Sequence, residues 1–368
     1  MRNLSKIVVV SVLLILFSLN IYYNHYNITK PKLRHGGKNI FTFAVLGDFG
    51  TGNHKQLQVA RQLSVETKRN ALQLILSTGD NVYKMTGNQD DDGVSNVEDI
   101  QFKTKFEDVY GNLKIPFYLT LGNHDCGGNS TAQIYYTRYS PSKLWNMPNR
   151  YYTFERTIGN SNSKDVVKFL ILDSCSLACG GSSGSNDRCK HVHFPSPNDQ
   201  DQIRTKQIQW MKKLLEKPLP TKSSWIIIST HWPIFSVFGN GPTKVMIEEL
   251  EPLVQEAGYR HGGRILWFNG HDHGLQHIQK DKNHYFVSGG GGYKLHPTLK
   301  SSADGAYVDE EGTMKSILNK NAHVAFKKSC HGFITVQLSN DGRGIVRFHE
   351  SENGINDEAN IIYQVSVP

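Results

Sequence analysis

Five apolar runs in this 368-residue chain break off, within a few residues, at a polar side chain able to bind a metal. Residues 41–46 lead to Gly47-Asp48, residues 72–76 to Gly79-Asp80, and residues 115–121 to Gly122-Asn123. Residues 225–229 lead to Thr230-His231, and residues 264–268 to Asn269-Gly270-His271-Asp272-His273. Short apolar runs that stop in glycine predict buried strands. In an open α/β sheet, ligands bind beyond the carboxyl ends of the strands. Taken singly, a Gly-Asp after a strand is most often a turn and a histidine there is most often simply hydrogen-bonded. Five such endings in one chain point to a single site.

With Tyr83 and His273, the donors are two carboxylates, one amide, one phenol and three imidazoles. That set is too large for one metal. It suits a pair of cations about 3.5–4 Å apart with one carboxylate between them, which polarises a phosphoryl oxygen and generates hydroxide near neutral pH. The expected chemistry is phosphate-ester hydrolysis.

The rest of the chain fits an α/β domain. Helical spacing appears at 55–68, 99–109, 202–215 and 245–254. Residues 151–155 and 166–172 predict a hairpin. Residues 84–98, with the run Asp90-Asp91-Asp92, predict a solvated loop, since the later glutamate of a calcium-binding loop is missing. Residues 174–197 form a long loop rich in Gly, Ser and Cys. Short strands at 275–278, 285–288, 323–326, 333–338 and 345–349 suggest a second, mainly antiparallel sheet. The four glycines 289–292 predict a tight turn passing close to the site, because no helix and no GxxxxGK[ST] pattern follow.

Arg2 and Lys6 precede the apolar residues 7–23, the pattern of a secretory signal or of an uncleaved anchor. The expected organisation is a signal peptide or signal anchor at 1–24, a short linker at 25–38 and one domain at 39–368. A cleaved signal is slightly favoured. The chain is then secreted or lysosomal/endosomal, or alternatively a type II membrane protein, with Asn27 and Asn129 as glycosylation acceptors. Five cysteines make an odd count, and a local disulfide among Cys175, Cys179 and Cys189 is expected. The net charge of +8 reads as general surface charge. No nucleic-acid-binding fingerprint is present, so no nucleic-acid partner is expected.

The blocks Gly47-Asp48-Phe49-Gly50, Gly79-Asp80-Asn81-Val82-Tyr83, Gly122-Asn123-His124-Asp125, His231 and Gly270-His271-Asp272-His273 resemble, in order and spacing, those of the metallophosphoesterase superfamily. Many members carry Asp-x-His in the first block. Here Gly50 takes the histidine's place and Tyr83 is supplied instead, the exchange that marks purple acid phosphatases. Phe106-Glu107-Asp108-Val109-Tyr110, Gly128-Asn129-Ser130-Thr131-Ala132-Gln133-Ile134, Trp145-Asn146-Met147-Pro148 and Gly241-Pro242-Thr243 resemble the small, tartrate-resistant type. The resemblance spans residues 41 to about 340. No counterpart of the extra N-terminal β-domain of the large plant-type enzymes is expected.

The resemblance implies an α/β fold, a four-layer αββα sandwich of two sheets with a binuclear metal site at strand C-terminal ends. Asp48, Tyr83 and His273 would hold Fe(III), Asn123, His231 and His271 a divalent ion (Fe(II), Zn or Mn), and Asp80 would bridge them. Phenolate and carboxylate are hard donors that favour Fe(III). A hydroxide held by the metals would attack phosphorus in line, with His124 binding the phosphate and protonating the leaving alkoxide. The implied activity is that of an acid phosphatase acting on phosphorylated small molecules or phosphoproteins. A monomer is expected, touching a membrane only through an uncleaved anchor.

Two positions depart from the pattern. Asn240 stands where the family has a second active-site histidine, so it is the candidate substrate contact there. Val245 stands where a cysteine would pair with Cys179 to staple the covering loop. Two other readings stand beside the leading one. A phosphodiesterase or nucleotide hydrolase on the same fold is disfavoured by Tyr83. A membrane-tethered scaffold with an inactive phosphatase fold is disfavoured because all seven ligand positions are filled.

Overall fold

The strands that carry the candidate ligands fall into two seven-stranded sheets packed face to face. The computed structural model describes residues 39–83, 92–179, 197–298, 306–308, 314–316, 322–351 and 360–368. The expected signal segment, the linker, Asn27, Asp90, Asp91 and Cys189 lie outside these residues. Among the described residues no helix is long and apolar enough to cross a membrane.

The N-terminal half supplies β1 (Ile40–Leu46), β2 (Leu74–Ser77), β3 (Phe117–Tyr118), β4 (Trp145–Asn146), β5 (Tyr152–Thr157) and β6 (Val166–Ile171). The C-terminal half supplies β7 (Trp225–Ser229), β8 (Ile265–Asn269), β9 (Leu275–Lys280), β10 (Asn283–Ser288), β11 (Ala306–Val308), β12 (Met314–Ser316), β13 (Ala322–Lys328), β14 (Gly332–Ser339), β15 (Gly344–Glu350) and β16 (Asn360–Val367). The first sheet runs β16-β15-β14-β1-β2-β3-β4 and the second β13-β9-β10-β8-β7-β6-β5, with β11 and β12 as a separate pair. β1 to β4 are mutually parallel, as are β6, β7, β8 and β10. The remaining pairs are antiparallel, so both sheets are mixed.

The period of two along each strand divides its side chains between two cores. Phe41, Phe43 and Val45 of β1 point into the space between the sheets, where they meet Phe169, Leu266, Phe268 and Ile334. Aromatic rings dominate this core: Phe43 meets Phe169 edge-on at 5.3 Å and Phe268 at 6.3 Å. Ala44 and Leu46 point the other way, toward helix His54–Asn70 and its neighbours. β2, β7 and β8 are buried along their whole length. That explains their unbroken apolar character, since a strand covered on both faces has no solvent side to mark with polar residues.

Several sequence expectations are corrected here. The strands after His273 do not form a sheet of their own: β9, β10 and β13 extend the second sheet, and β14 to β16 extend the first. β14 lies antiparallel beside β1, with Ile40 opposite Ser339. The buried backbone edge of β1 needs such a partner, because unpaired N–H and C=O groups in a core are costly. The run at 115–121 yields only the two-residue β3, and β16 was not anticipated. The 99–109 helix contains a π-helical turn at Lys103–Glu107 between Ile100–Phe102 and Asp108–Tyr110. The 245–254 helix is two, Lys244–Glu249 and Glu251–Arg260, with a proline in the first turn of the second. The loop expected from residue 174 starts as helix Ser174–Cys179.

For Cys175 the disulfide expectation is corrected too. Cys175 pairs with Cys126, 49 residues away, rather than with a neighbour in its own loop. Short helix Asn123–Gly127 and helix Ser174–Cys179 are thereby joined, a proximity no local spacing reveals. Cys179 is also disulfide-bonded.

Candidate metal centre

Three candidate ligands sit where the chain turns sharply off a strand. Asp48 has φ 58, Asp80 φ 50 and His271 φ 67, in the left-handed region that non-glycine residues rarely enter. Backbone strain of this kind concentrates at functional sites. The turns permit side chains from separate strands to converge. Gly79, at φ +94, shows how closely: a Cβ there would lie 2.7 Å from His231 Nδ1 and 2.9 Å from the Gly122 nitrogen.

The donors form two groups. In the first, the Tyr83 hydroxyl lies 3.1 Å from Asp48 Oδ1 and 3.4 Å from His273 Nε2, with His273 Nε2 3.3 Å from Asp48 Oδ1. In the second, Asn123 Oδ1 lies 2.9 Å from His231 Nε2 and 2.9 Å from His271 Nδ1, and these two nitrogens are 3.2 Å apart. Asp80 stands between the groups. Its Oδ2 is 3.4 Å from His231 Nε2, and its carboxylate also acts on Tyr83. One atom each from Asp48, Asp80 and His231 fits within 4.8 Å, and all three residues are buried.

The chemistry of this donor set fits cations. His231 Nδ1 faces the Thr78 carbonyl at 2.9 Å, and His273 Nδ1 faces the Lys294 carbonyl at 2.7 Å. A carbonyl only accepts, so each Nδ1 carries the proton and each Nε2 turns a lone pair inward, the outer-sphere arrangement that orients metal-binding histidines. Beyond the Tyr83 hydroxyl and the backbone N–H groups of His271 and His124, the lone pairs, carboxylates and amide oxygen face one another in a buried space. Such a cluster demands positive charge.

The electrostatics say the same. Burial would raise the Asp80 carboxyl, but the His231 and His124 imidazoles outweigh it and hold the group well below the usual range. Burial would lower His231, yet Asp80 beside it pushes it up to about 9. His273 is raised in the same way, burial being outweighed by Asp48. Tyr83 is pushed well above its ordinary value by burial and then by the Asp48 and Asp80 carboxylates. The anions draw in either protons or a cation, and a cation would allow Tyr83 to bind as phenolate.

His124 lies outside the ligand groups. Its backbone N–H donates to Asp80 Oδ1 at 3.0 Å, and its ring packs 4.4 Å from that of Tyr83. Nδ1 stands 2.7 Å from Asp92 Oδ2, and the side chain is 25% exposed. Burial would lower its pKa, but Asp80 and Asp92 raise it. Asp125 binds the turns together. Its carboxylate accepts from the backbone nitrogens of Asn81, Val82 and Gly122, the last at 2.8 Å.

The glycine turn lies where expected. Gly289 N donates to Gly274 O, Gly291 N to Gly47 O, and Tyr293 N to Asp48 O. A Cβ on Gly289 would sit 2.2 Å from Asp272 O. Tyr293 then stacks on Tyr83, with ring centroids 4.1 Å apart. Asn240 is tied beside the site by both side chain and backbone: Nδ2 donates to the His271 carbonyl at 2.9 Å, and its N–H to Asp272 Oδ1 at 2.8 Å. Asn129 is exposed. Its Oδ1 caps helix Ser130–Tyr139 and its Nδ2 donates to Ser95 O.

Sequence reasoning missed Asp92, Tyr293, His296 and Ser174, whose hydroxyl accepts from His231 N at 3.0 Å. Asp92 had a visible signal, the acidic run, but nothing local showed that its end turns back onto His124.

A family model described as Calcineurin-like phosphoesterase matches residues 41–275. The chain belongs to the calcineurin-like phosphoesterases. Within this family it is 32% identical over 279 residues to tartrate-resistant acid phosphatase type 5 of Homo sapiens, covering 73% of this chain and 78% of the human protein. It is 30% identical over 264 residues to purple acid phosphatase 4 of Arabidopsis thaliana, covering 69% and 68%. Among solved structures it is similar to GAP50, the anchor in the inner membrane complex of Plasmodium, with a TM-score of 0.66 and 24% identity over 89% of each chain. Purple acid phosphatase PPD1 from yellow lupin (Lupinus luteus) seeds gives a TM-score of 0.55 at 13% identity, over 90% of this chain and 54% of the lupin chain. At these identities the two structures establish a shared fold alone. The phosphoesterase fold and the relation to acid phosphatases agree with the motif reading of the sequence.

Proposed function

We propose that this phosphoesterase is an acid phosphatase of the purple, tartrate-resistant kind, hydrolysing phosphate monoesters. The observation that carries the proposal is the grouping of Tyr83 with Asp48 and His273, apart from Asn123, His231 and His271. One hard, anionic set suits Fe(III), and one amide-imidazole set suits a divalent ion. Asp80 would touch both. Two cations so held would supply Lewis-acid charge to a phosphoryl oxygen and lower the pKa of water.

The chain's own groups do the rest. His124, oriented through Nδ1 by Asp92, presents Nε2 to the phosphoryl group and passes a proton to the leaving oxygen. Burial of the donors keeps competing water away from charges that would be weakened by it. The Cys126–Cys175 disulfide supports a secretory-pathway location, because such bonds persist in oxidising compartments. Residues 1–24 would direct that entry, with Asn27 and Asn129 open to glycosylation.

Metal analysis of the purified protein with its visible spectrum tests the proposal. The expected result is one iron and one further metal per chain, a charge-transfer band lost in Tyr83→Phe, and release of phosphate from an aryl phosphate at acid pH. A colourless or iron-free protein that nevertheless cleaves phosphodiesters would overturn it.

A further inference from the structure

Among the described residues His124 is one of two partly exposed imidazoles beside the centre, and the other is His296. The His296 ring lies 4.0 Å, centroid to centroid, from that of His273, inclined by 32°. Its N–H donates to the His273 carbonyl at 3.0 Å, and its own carbonyl accepts from Ser329 Oγ at 2.7 Å. Its Nδ1 stands 3.0 Å from Oδ1 of the buried Asp272. The pairing repeats that of His124 with Asp92 at 2.7 Å.

Nδ1 of His296 meets Asp272 Oδ1 at 3.0 Å and accepts from the His273 backbone N–H at 3.3 Å, so it is engaged in either tautomer. Nε2 is then the open nitrogen of the ring. Among the described residues it has no hydrogen-bond partner, although the side chain is only 24% exposed. Backbone, ring face and Nδ1 are all held, which leaves one nitrogen fixed in place and unused. Asn240 does not compete for the role. Its Nδ2 lies 3.5 Å from His296 Nδ1 and donates to the His271 carbonyl at 2.9 Å. A polar atom pre-positioned at little entropic cost is what an oxyanion site requires.

We propose that His296 Nε2 hydrogen-bonds an oxygen of the phosphoryl group, so that substrate phosphate is gripped between two carboxylate-oriented imidazoles, His124 and His296. The proposal rests on the two-metal reading of the centre. The bond needs one proton between nitrogen and oxygen. Nε2 carries it when Nδ1 accepts from the His273 N–H, and otherwise a phosphate monoester brings it below pH about 6, its second ionisation.

The test uses the full chain loaded with ferric iron and zinc, with inorganic phosphate as the probe in calorimetric titration. His296→Phe keeps a ring over His273 and removes both nitrogens, while His296→Gln keeps a polar end. The expected result is two metals per chain in both variants, phosphate binding about tenfold weaker in His296→Phe, and a smaller loss in His296→Gln. With an aryl phosphate, KM should rise more than kcat falls. Unchanged phosphate affinity in a fully loaded His296→Phe overturns the proposal. So does loss of metal from both variants, which would make His296 a prop for His273. If the wild type binds phosphate through His296 yet turns over no monoester, the acid phosphatase reading fails and this site stands. A wild type that takes up metals but binds no phosphate removes both.

Discussion

His124 Nδ1 lies 2.7 Å from Asp92 Oδ2. The carboxylate fixes the ring's tautomer and direction, leaving Nε2 on the side of the metal centre, 3.9 Å from Asp80 Oδ2. Asp92 closes an acidic run that reads in sequence as solvent-facing. In the fold it is the partner that fixes the aim of the His124 ring.

Replacing Asp92 with alanine should therefore lower kcat by about tenfold or more while two metals remain bound. Steady-state kinetics beside metal analysis would check this. An unaltered kcat would show that His124 keeps its aim without the carboxylate.

Asp80 is the residue that faces both donor groups, 3.4 Å from His231 Nε2 and close enough to act on Tyr83. Asp80→Ala should lose metal from both positions and fall below measurable activity. Its circular dichroism should stay that of the parent, since the aromatic core between the sheets lies elsewhere. A metal-replete Asp80→Ala protein would refute the bridging role.

Gly79 tests how tightly the turns are packed. Gly79→Ala places a Cβ at φ +94 and 2.7 Å from His231 Nδ1. It should destabilise the protein by at least about 2 kcal/mol, combining backbone strain and overpacking. Gly262, at φ +63, has only the Arg264 guanidinium within reach at 3.3 Å. Gly262→Ala should cost about 1 kcal/mol, the backbone strain alone. Urea unfolding of both would show whether the difference holds.

Stability should fall in acid well before the carboxylates are protonated. Burial, together with His284 and His323, pushes His277 down to about 3; burial and His323 push His284 down to about 4. Burial and the nearby Arg347 and Arg69 push His349 down to about 3. Above pH about 6.5 these groups are neutral in folded and unfolded chains alike, and they exert no pH dependence. Below it the unfolded chain takes up protons that the folded chain refuses. Stability is then lost as pH falls from about 6.5 toward 3–4, by up to about 1.4 kcal/mol per pH unit for each group. The urea midpoint should be lower at pH 4.5 than at pH 7, and His349→Gln should flatten the slope. A midpoint independent of pH in this window would contradict the buried, neutral state of these rings.

Much of the candidate centre was legible because its residues follow strands that announce themselves. Asp48, Asp80, Asn123, His231 and His271 each come after a run whose apolar character marks a buried strand, and glycines beside them mark the turns. Asp92, Tyr293, His296 and Ser174 carry no such mark. They sit in loops whose course is set by contacts far along the chain, such as Gly291 N with Gly47 O. The same holds for Cys175. Local spacing favours a neighbour, but the fold delivers Cys126 from 49 residues away.

Sequence alone thus determined which side chains could meet, since apolar period and glycine placement are local properties of the chain. It also determined that the donors outnumber one metal's needs. The tertiary structure decided how strands after His273 divide between two sheets, which imidazole nitrogen faces inward, and which carboxylates orient His124 and His296. Those outcomes depend on pairing buried backbone edges and on carbonyls and carboxylates brought near from distant segments. Such long-range hydrogen bonds leave no periodic trace in the order of residues.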